Sequence, residues 1–519
     1  MTFRTPKNGY AFPDAFMHPP VMAIGDSIYN GMRSATITAE MAAKSTPAGV
    51  SRVIDPAYPF LAPRYPEPLL IDIEQALRDI SLGDLIGRLR GQIRALVANV
   101  GRWGDGQHIV DAPDAAWDNV SQAGAEVTDL VDRDWAFWND LAKDNLKKLK
   151  GVDSLEDLTK SDVNVIDLHM ALNAKFLLNP NERSELKKMR PIDLVALRKP
   201  KHLLINIGAN HGLIDVTLRG LEADPKPDEG LRRLAAWPAE MRRLAEMLVE
   251  LGPETETIHI NTVPLPSTVP NQSPLYRPGF IDPGKLEKVD GYFPVYDNRI
   301  GGTGDYTQYS AAKMKQLDRD VRKINNQMIA EVKAVFDAAG DTRAKFFRLD
   351  KALKRYDGKH EDERTIYEGD AGVRLERTNR GYSNRAIDFK NSILFDDFAE
   401  GGLGSLDNHH PSGLGYSVLT RELLREMKKS IPDIKLNRAM ISEQGDRMLL
   451  DEPVEFTKLI SILYTVRRQK KGFHEVPDFD EANGGDLPPK QRVKRLGAKD
   501  ADVARFGEMI GRLLRTGLD

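Results

Sequence analysis

The sequence predicts an α/β fold, in which a mainly parallel sheet is covered by helices on both faces in a three-layer α/β/α sandwich. Two observations support this prediction. Helical patterns alternate with short strand patterns along the chain, as the connections between parallel strands require. The first strand pattern, at about residues 20–25, is apolar at successive positions, as expected for a strand buried on both faces, and further strand patterns lie at about residues 201–207, 257–263 and 345–349.

Local sequence patterns predict each helix. Apolar residues recur at helical spacing across 84–97, so this segment should be an amphipathic helix that packs on the sheet. The same spacing predicts a crossover helix over 231–251, between the second and third strands. A longer helix is predicted over 309–339, before the fourth strand. Because ligands bind beyond the carboxyl ends of parallel strands, we expect functional residues at that edge of the sheet.

Segments that exceed a minimal sandwich are expected to form insertions and an extension. We assign residues 1–430 to one α/β domain and residues 431–519 to a helical C-terminal extension. The expected insertions are at about 130–200, 267–305 and 350–400. Trp135 and Trp138 lie in the first insertion, where they either pack it onto the core or belong to a lid or acyl pocket.

The amino-acid composition excludes several classes of partner and of functional site. The 74 basic and 77 acidic residues leave a net charge of −3, so no overall field favours nucleic acid, and none is expected as a partner. The chain has no cysteine, which excludes disulfides, thiolate metal sites and a cysteine nucleophile. It has no apolar run of about 18 residues and no signal-peptide pattern after Met1, so we expect no transmembrane segment and a cytoplasmic location.

The residue types needed for acyl transfer stand in a strand-end turn and in one late loop. Ser27 follows the first predicted strand, in a Gly-Asp-Ser turn where a nucleophile would sit. Asp407 and His410 lie in one loop and supply an acid and an imidazole base. His409 competes for the base role, but the Asp-x-x-His spacing and the following proline favour His410. The alternative to a catalytic role is a structural one, in which Asp26 and Ser27 form a helix N-cap and Asp407 is an Asx-turn residue.

Two further segments make the pattern specific. Gly124 lies in an Ala-Gly-Ala turn, and Asn210 ends a Gly-x-Asn sequence after the second predicted strand. With the Gly-Asp-Ser and Asp-x-x-His-Pro sequences, they resemble the four blocks of the SGNH (GDSL-type) hydrolase family, in family order. The resemblance implies Ser27 as nucleophile, His410 as base and Asp407 as its orienting partner. It also implies an SGNH-like fold and an oxyanion hole made by the Ser27 amide, Gly124 and the Asn210 side chain.

The chain departs from the family pattern in three ways. Ile28 replaces the usual leucine after the serine, His211 replaces the usual aspartate after the asparagine, and the spacings between blocks are long. The histidine puts one supporting contact in doubt. No Gly-x-Ser-x-Gly elbow occurs in the chain, so the α/β-hydrolase family lacks its main sequence signal.

We therefore expect a serine esterase, lipase or deacylase that cleaves a carboxylic ester through an acyl-enzyme, without cofactor or metal. The histidines lack metal-site spacing such as His-Glu-x-x-His, so metal-assisted hydrolysis has less support. The expected substrate is a small-molecule, lipid or acylated-sugar ester, with hydrolysis and acyl transfer both open. The alternative from another class is a non-catalytic binding or scaffold protein on the same fold. The sequence leaves the oligomeric state open.

Overall fold

A computed structural model describes most of the first 356 residues and several later segments. The described residues are 2–34, 36–66, 68–69, 116–148, 165–219, 227–269, 272–274, 289–293, 295–298, 308–356, 365–368, 374–376, 404–405 and 409–436. The strands among them are β1 Val21–Gly25, β2 His202–Asn206, β3 Thr257–Asn261, β4 Gln272–Pro274, β5 Val295–Asn298, β6 Gln308–Ser310, β7 Ala344–Phe347, β8 Thr365–Glu368 and β9 Arg374–Glu376. The α-helices are α1 Ser27–Asn30, α2 Ala39–Ala43, α3 Thr46–Ile54, α4 Val127–Val131, α5 Trp135–Lys148, α6 Val165–Leu178, α7 Pro191–Arg198, α8 Pro227–Leu248, α9 Ala311–Ala338, α10 Leu349–Arg355 and α11 Gly413–Met427.

The main sheet is parallel and contains the four predicted strands in the order β1-β2-β3-β7. Ala23 lies opposite Leu204, and Leu204 lies opposite His259 in the next pair. The prediction of an α/β fold with a parallel sheet is therefore confirmed. The crossover helix and the long helix are also present as α8 and α9, with α8 beginning four residues before the predicted start.

A short segment that no sequence pattern predicted extends the sheet at its β1 edge. Residues 118–122 run parallel to β1 and form a single bridge between Asn119 and Ala23. The Ala23 amide donates to the Asp118 carbonyl at 2.8 Å, and the Gln122 amide donates to the Gly25 carbonyl at 2.8 Å. Because this segment ends level with β1, the turn at Gly124 lies at the carboxyl edge of the sheet.

The two faces of the sheet meet separate apolar clusters, which explains why β1, β2 and β3 are buried at every position. Met22, Ile24 and Ile205 belong to the larger cluster, which includes residues of α4 to α9. Val21 and Leu204 belong to the smaller one, which includes residues of α3, α10 and α11. Alternate residues along each strand point to opposite faces, so both clusters use the same strands.

Within the predicted first insertion, the described residues include helices α5, α6 and α7, which contribute side chains to the larger cluster. Trp135 and Trp138, in α5, are 3% and 1% exposed and belong to the larger cluster, which agrees with the packing interpretation. The predicted second insertion contains β4 and β5, which form an unpredicted three-stranded antiparallel sheet with β6, just after the insertion. Among the described residues, no helix has the length and apolar character to cross a membrane.

Three predictions fall on parts of the chain that the structure does not describe. The amphipathic helix at 84–97 lies outside the described residues. The same holds for most of the 350–400 insertion and for the C-terminal extension beyond residue 436.

Candidate active site

The turn that presents Ser27 depends on glycine. Gly25 has a φ of +147°, and a Cβ there would lie 2.0 Å from the Asn206 carbonyl oxygen of the neighbouring strand. Only glycine therefore fits at this close approach. The next residue, Asp26, caps helix α1 because its Oδ1 accepts the Ile28 amide at 3.1 Å. Ser27 is thus the first residue of a short helix at the carboxyl end of β1.

The structure brings His410 to this serine across 383 positions of sequence. The His410 Nε2 lies 2.8 Å from the Ser27 Oγ, and both side chains are largely shielded from solvent. This is the hydrogen-bond geometry that a nucleophile and a general base require.

The loop that carries His410 is fixed to the chain just after α1. The His410 carbonyl accepts the Ser405 amide at 2.8 Å, and the Ser405 hydroxyl accepts the Ser34 amide at 2.9 Å. The Tyr416 hydroxyl, in α11, donates to the Met32 carbonyl. Bonds on both sides of His410 therefore hold its loop against residues 32–34.

The third predicted triad residue, Asp407, lies outside the described residues. Its role as the orienting carboxylate stays a prediction. His409 is described, and its ring meets the His410 ring edge to face, with centroids 5.4 Å apart. The hydrogen-bond contact with the Ser27 Oγ described above is made by His410.

Asp26 is a buried carboxyl beside the Ser27–His410 pair. Its Oδ1 accepts from the Asn206 side chain at 2.6 Å, whereas its Oδ2 has no hydrogen-bond partner among the described residues. Burial raises the pKa of Asp26 from 3.8 to about 7, although the hydrogen bonds and the charge of His410 act in the opposite direction. An ionisation near neutral pH therefore lies beside the Ser27–His410 pair.

The two other predicted residues, Gly124 and Asn210, lie on neighbouring loops. The Asn210 Nδ2 donates to the carbonyl of Ala125, the residue after Gly124, at 2.9 Å. Gly124 has a φ of +74°, and a Cβ there would lie 2.6 Å from the Met170 sulfur. Both loops begin at the carboxyl edge of the sheet, the edge at which Ser27 lies, because residues 118–122 pair with β1 and β2 pairs with β1.

Helix α6 supplies polar residues that the sequence analysis did not single out. Asn173 accepts the Ala123 amide at 2.9 Å, just before Gly124. One turn earlier, His169 is buried, and its Nε2 has no hydrogen-bond partner among the described residues. Burial, together with the charge of His410, lowers the pKa of His169 to about 4. The i,i+4 spacing of the two residues was the available signal, but it did not identify which loop they face.

Comparison of the chain with family models, with curated proteins and with solved structures finds no match in any of the three. Within the described parts of the chain, no group of three or more histidine, aspartate or glutamate side chains is placed to hold a metal ion.

Proposed function

We propose that this protein is a serine hydrolase that cleaves a carboxylic ester through an acyl-enzyme on Ser27. The observation that carries the proposal is the 2.8 Å contact between the His410 Nε2 and the Ser27 Oγ. A free serine hydroxyl is a weak nucleophile at neutral pH and needs a base at this distance. Substrate candidates are esters of small molecules, lipids or acylated sugars.

In the proposed reaction, His410 takes the Ser27 proton while the Ser27 Oγ bonds to the ester carbonyl carbon. The tetrahedral oxyanion accepts hydrogen bonds from the Ser27 amide, the Gly124 amide and the Asn210 side chain. His410 then gives its proton to the leaving alcohol, and the C–O ester bond breaks to leave acyl-Ser27. Water, activated by the same histidine, hydrolyses this acyl-enzyme and restores the free serine.

Support for an SGNH-like three-layer sandwich comes from the order of the proposed site residues on the fold. Ser27 follows β1, Gly124 follows the edge segment 118–122, Asn210 follows β2, and His410 precedes α11. The four sequence blocks that resemble the SGNH family therefore converge on one edge of a parallel sheet, where open α/β sheets bind ligands. The proposed role of Asp407 rests on the resemblance alone.

Fluorophosphonate labelling of the purified protein tests the proposal. We expect one covalent adduct, which peptide mass spectrometry places on Ser27, and loss of the adduct in Ser27→Ala and His410→Ala. Matched controls are Ser184→Ala and His18→Asn, which replace an exposed serine and an exposed histidine. Both controls should label like the wild type. Absence of any adduct, under conditions that label a known serine esterase, would favour a non-catalytic binding or scaffold protein instead.

A further inference from the structure

Side-chain hydrogen bonds hold the two loops that carry the outer oxyanion donors together. The Gly124 loop, residues 122–127, and the Asn210 loop, residues 208–212, are joined twice. The Asn210 Nδ2 donates to the Ala125 carbonyl at 2.9 Å. The Val127 amide donates to the His211 Nε2 at 3.0 Å. His211 therefore contacts the opposite loop at the position where the family pattern has an aspartate.

The protonation state of His211 follows from this contact. A ring nitrogen that accepts a backbone N–H carries no proton itself, so the imidazole is neutral and its proton lies on Nδ1. The side chain is 7% exposed, and burial lowers its pKa to about 4. The charge of Arg233 acts in the same direction. His211 is therefore a neutral acceptor through the whole physiological range of pH.

Arg233, in α8, braces the same two loops from outside. Its guanidinium donates to the Glu126 carboxylate at 2.6 Å and to the Asn210 carbonyl at 3.2 Å. A third bond, at 2.7 Å, goes to the buried carboxylate of Asp215. Two carboxylates thus face this one cation. Because His211 is a neutral acceptor, it adds no further buried charge to the group.

We infer that His211 is a positioning residue that fixes the Gly124 loop to the Asn210 loop and so sets the spacing of the two outer oxyanion donors. The inference rests on the proposed function. Oxyanion donors act on charge that develops in the transition state, so looser loops should lower kcat more than they raise KM. Loss of a whole donor typically costs about 10²- to 10³-fold in rate, and a loosened pair should cost less.

The test compares His211→Leu with His211→Gln, using p-nitrophenyl acetate turnover and thermal unfolding. A glutamine amide oxygen can reach about the position of Nε2 and accept the Val127 amide, whereas leucine cannot. We expect His211→Leu to lower kcat roughly 10- to 100-fold with KM changed less than about three-fold. His211→Gln should keep kcat within about three-fold of the wild type.

His202→Leu is the matched control for loss of a buried histidine. His202 begins β2, at the opposite edge of the sheet, and is 2% exposed. Its variant should unfold at a lower temperature but keep kcat. If His211→Leu does not fold, His211→Asn replaces it, because asparagine is one methylene shorter than glutamine. A lower kcat in His211→Asn with a retained kcat in His211→Gln supports the inference. Equal kcat values in these two variants overturn it.

Two failures are distinguishable. A wild-type protein that forms no fluorophosphonate adduct on Ser27 contradicts the proposed function, and the positioning role with it. A wild type that labels at Ser27, with a folded His211→Leu variant that keeps the wild-type kcat, contradicts the positioning role alone.

Discussion

The Asn206 side chain donates to the Asp26 Oδ1 at 2.6 Å and so ties the end of β2 to the turn that presents Ser27. The Asn206 Oδ1 in turn accepts from Asn261 at 2.8 Å, and Asn261 accepts the Tyr29 hydroxyl at 3.1 Å. Amides at the ends of β2 and β3 therefore form one buried chain from Asp26 to α1. This chain of hydrogen bonds holds the turn that presents Ser27 in position beside His410.

Asp26→Asn should make the protein less sensitive to rising pH. The folded-state pKa of Asp26, about 7, lies above the unfolded value of 3.8, so the folded state binds the proton more tightly. The contribution of Asp26 to wild-type stability therefore falls as pH rises from 3.8 to 7. Asparagine keeps an Oδ1 acceptor and has no ionisation. Relative to the wild type, we expect the variant to gain on the order of 2 kcal/mol between pH 5 and pH 8.

Urea unfolding at the two pH values measures this difference, and Asp140→Asn, an exposed carboxylate in α5, is the control. An equal change in stability for wild type and Asp26→Asn would show that Asp26 ionises as freely in the folded protein as in the unfolded chain.

Replacement of His202 should reduce the sensitivity of the protein to acid. Burial lowers the pKa of His202 from 6.5 to about 4, so the unfolded state binds the proton more tightly and the contribution of His202 to wild-type stability falls as pH drops below 6.5. His202→Gln lacks this ionisation. Between pH 7 and pH 5 the wild type should lose on the order of 1–2 kcal/mol more than the variant. Parallel pH curves from urea unfolding would contradict the assignment.

Arg198→Met should destabilise the fold because it leaves a buried carboxylate without its cation. Arg198 is 1% exposed, pairs with Asp118 at 2.6 Å, and donates to the Phe16 and Trp117 carbonyls. Breaking a buried pair of this kind costs about 3–5 kcal/mol. Lys201→Met removes a half-exposed pair with Glu256 and should cost less than about 1 kcal/mol. Similar urea midpoints for the two variants would mean that Arg198 does not anchor the edge segment.

Gly124→Ala should weaken both the fold and ester turnover. Alanine at a φ of +74° costs about 1–2 kcal/mol, and its Cβ would also meet the Met170 sulfur at 2.6 Å. Gly340→Ala isolates the backbone cost, since Gly340 has a φ of +65° and open space around a Cβ. By calorimetry, Gly124→Ala should unfold at a lower temperature than Gly340→Ala. The double variant Gly124→Ala/Met170→Ala should recover part of this difference in unfolding temperature, because it removes the clash with the Met170 sulfur. An unchanged kcat in a folded Gly124→Ala variant would contradict the expected loss of turnover.

The sequence predicted the four parallel strands, because each has a local strand pattern between helical segments. Ser27 and His410 were chosen as candidates from their residue types and the family resemblance, whereas their contact, across 383 positions, is tertiary and follows from no local pattern. The edge segment at 118–122 was missed because it is short and polar, and its pairing with β1 is a tertiary contact. No local pattern predicts that Arg198 holds this segment or that Arg233 braces two loops. His211 was noticed only as a departure from a family pattern, and its partner, the Val127 amide, lies 84 positions away.

Acid-quenched mass spectrometry during the first turnovers of p-nitrophenyl acetate detects the acyl-enzyme itself. We expect a burst of p-nitrophenol and an acetyl group on Ser27, both absent from Ser27→Ala and unchanged in Ser184→Ala. Turnover without an acyl-enzyme, or an acetyl group on another residue while Ser27→Ala stays active, would contradict the proposed acyl-enzyme on Ser27.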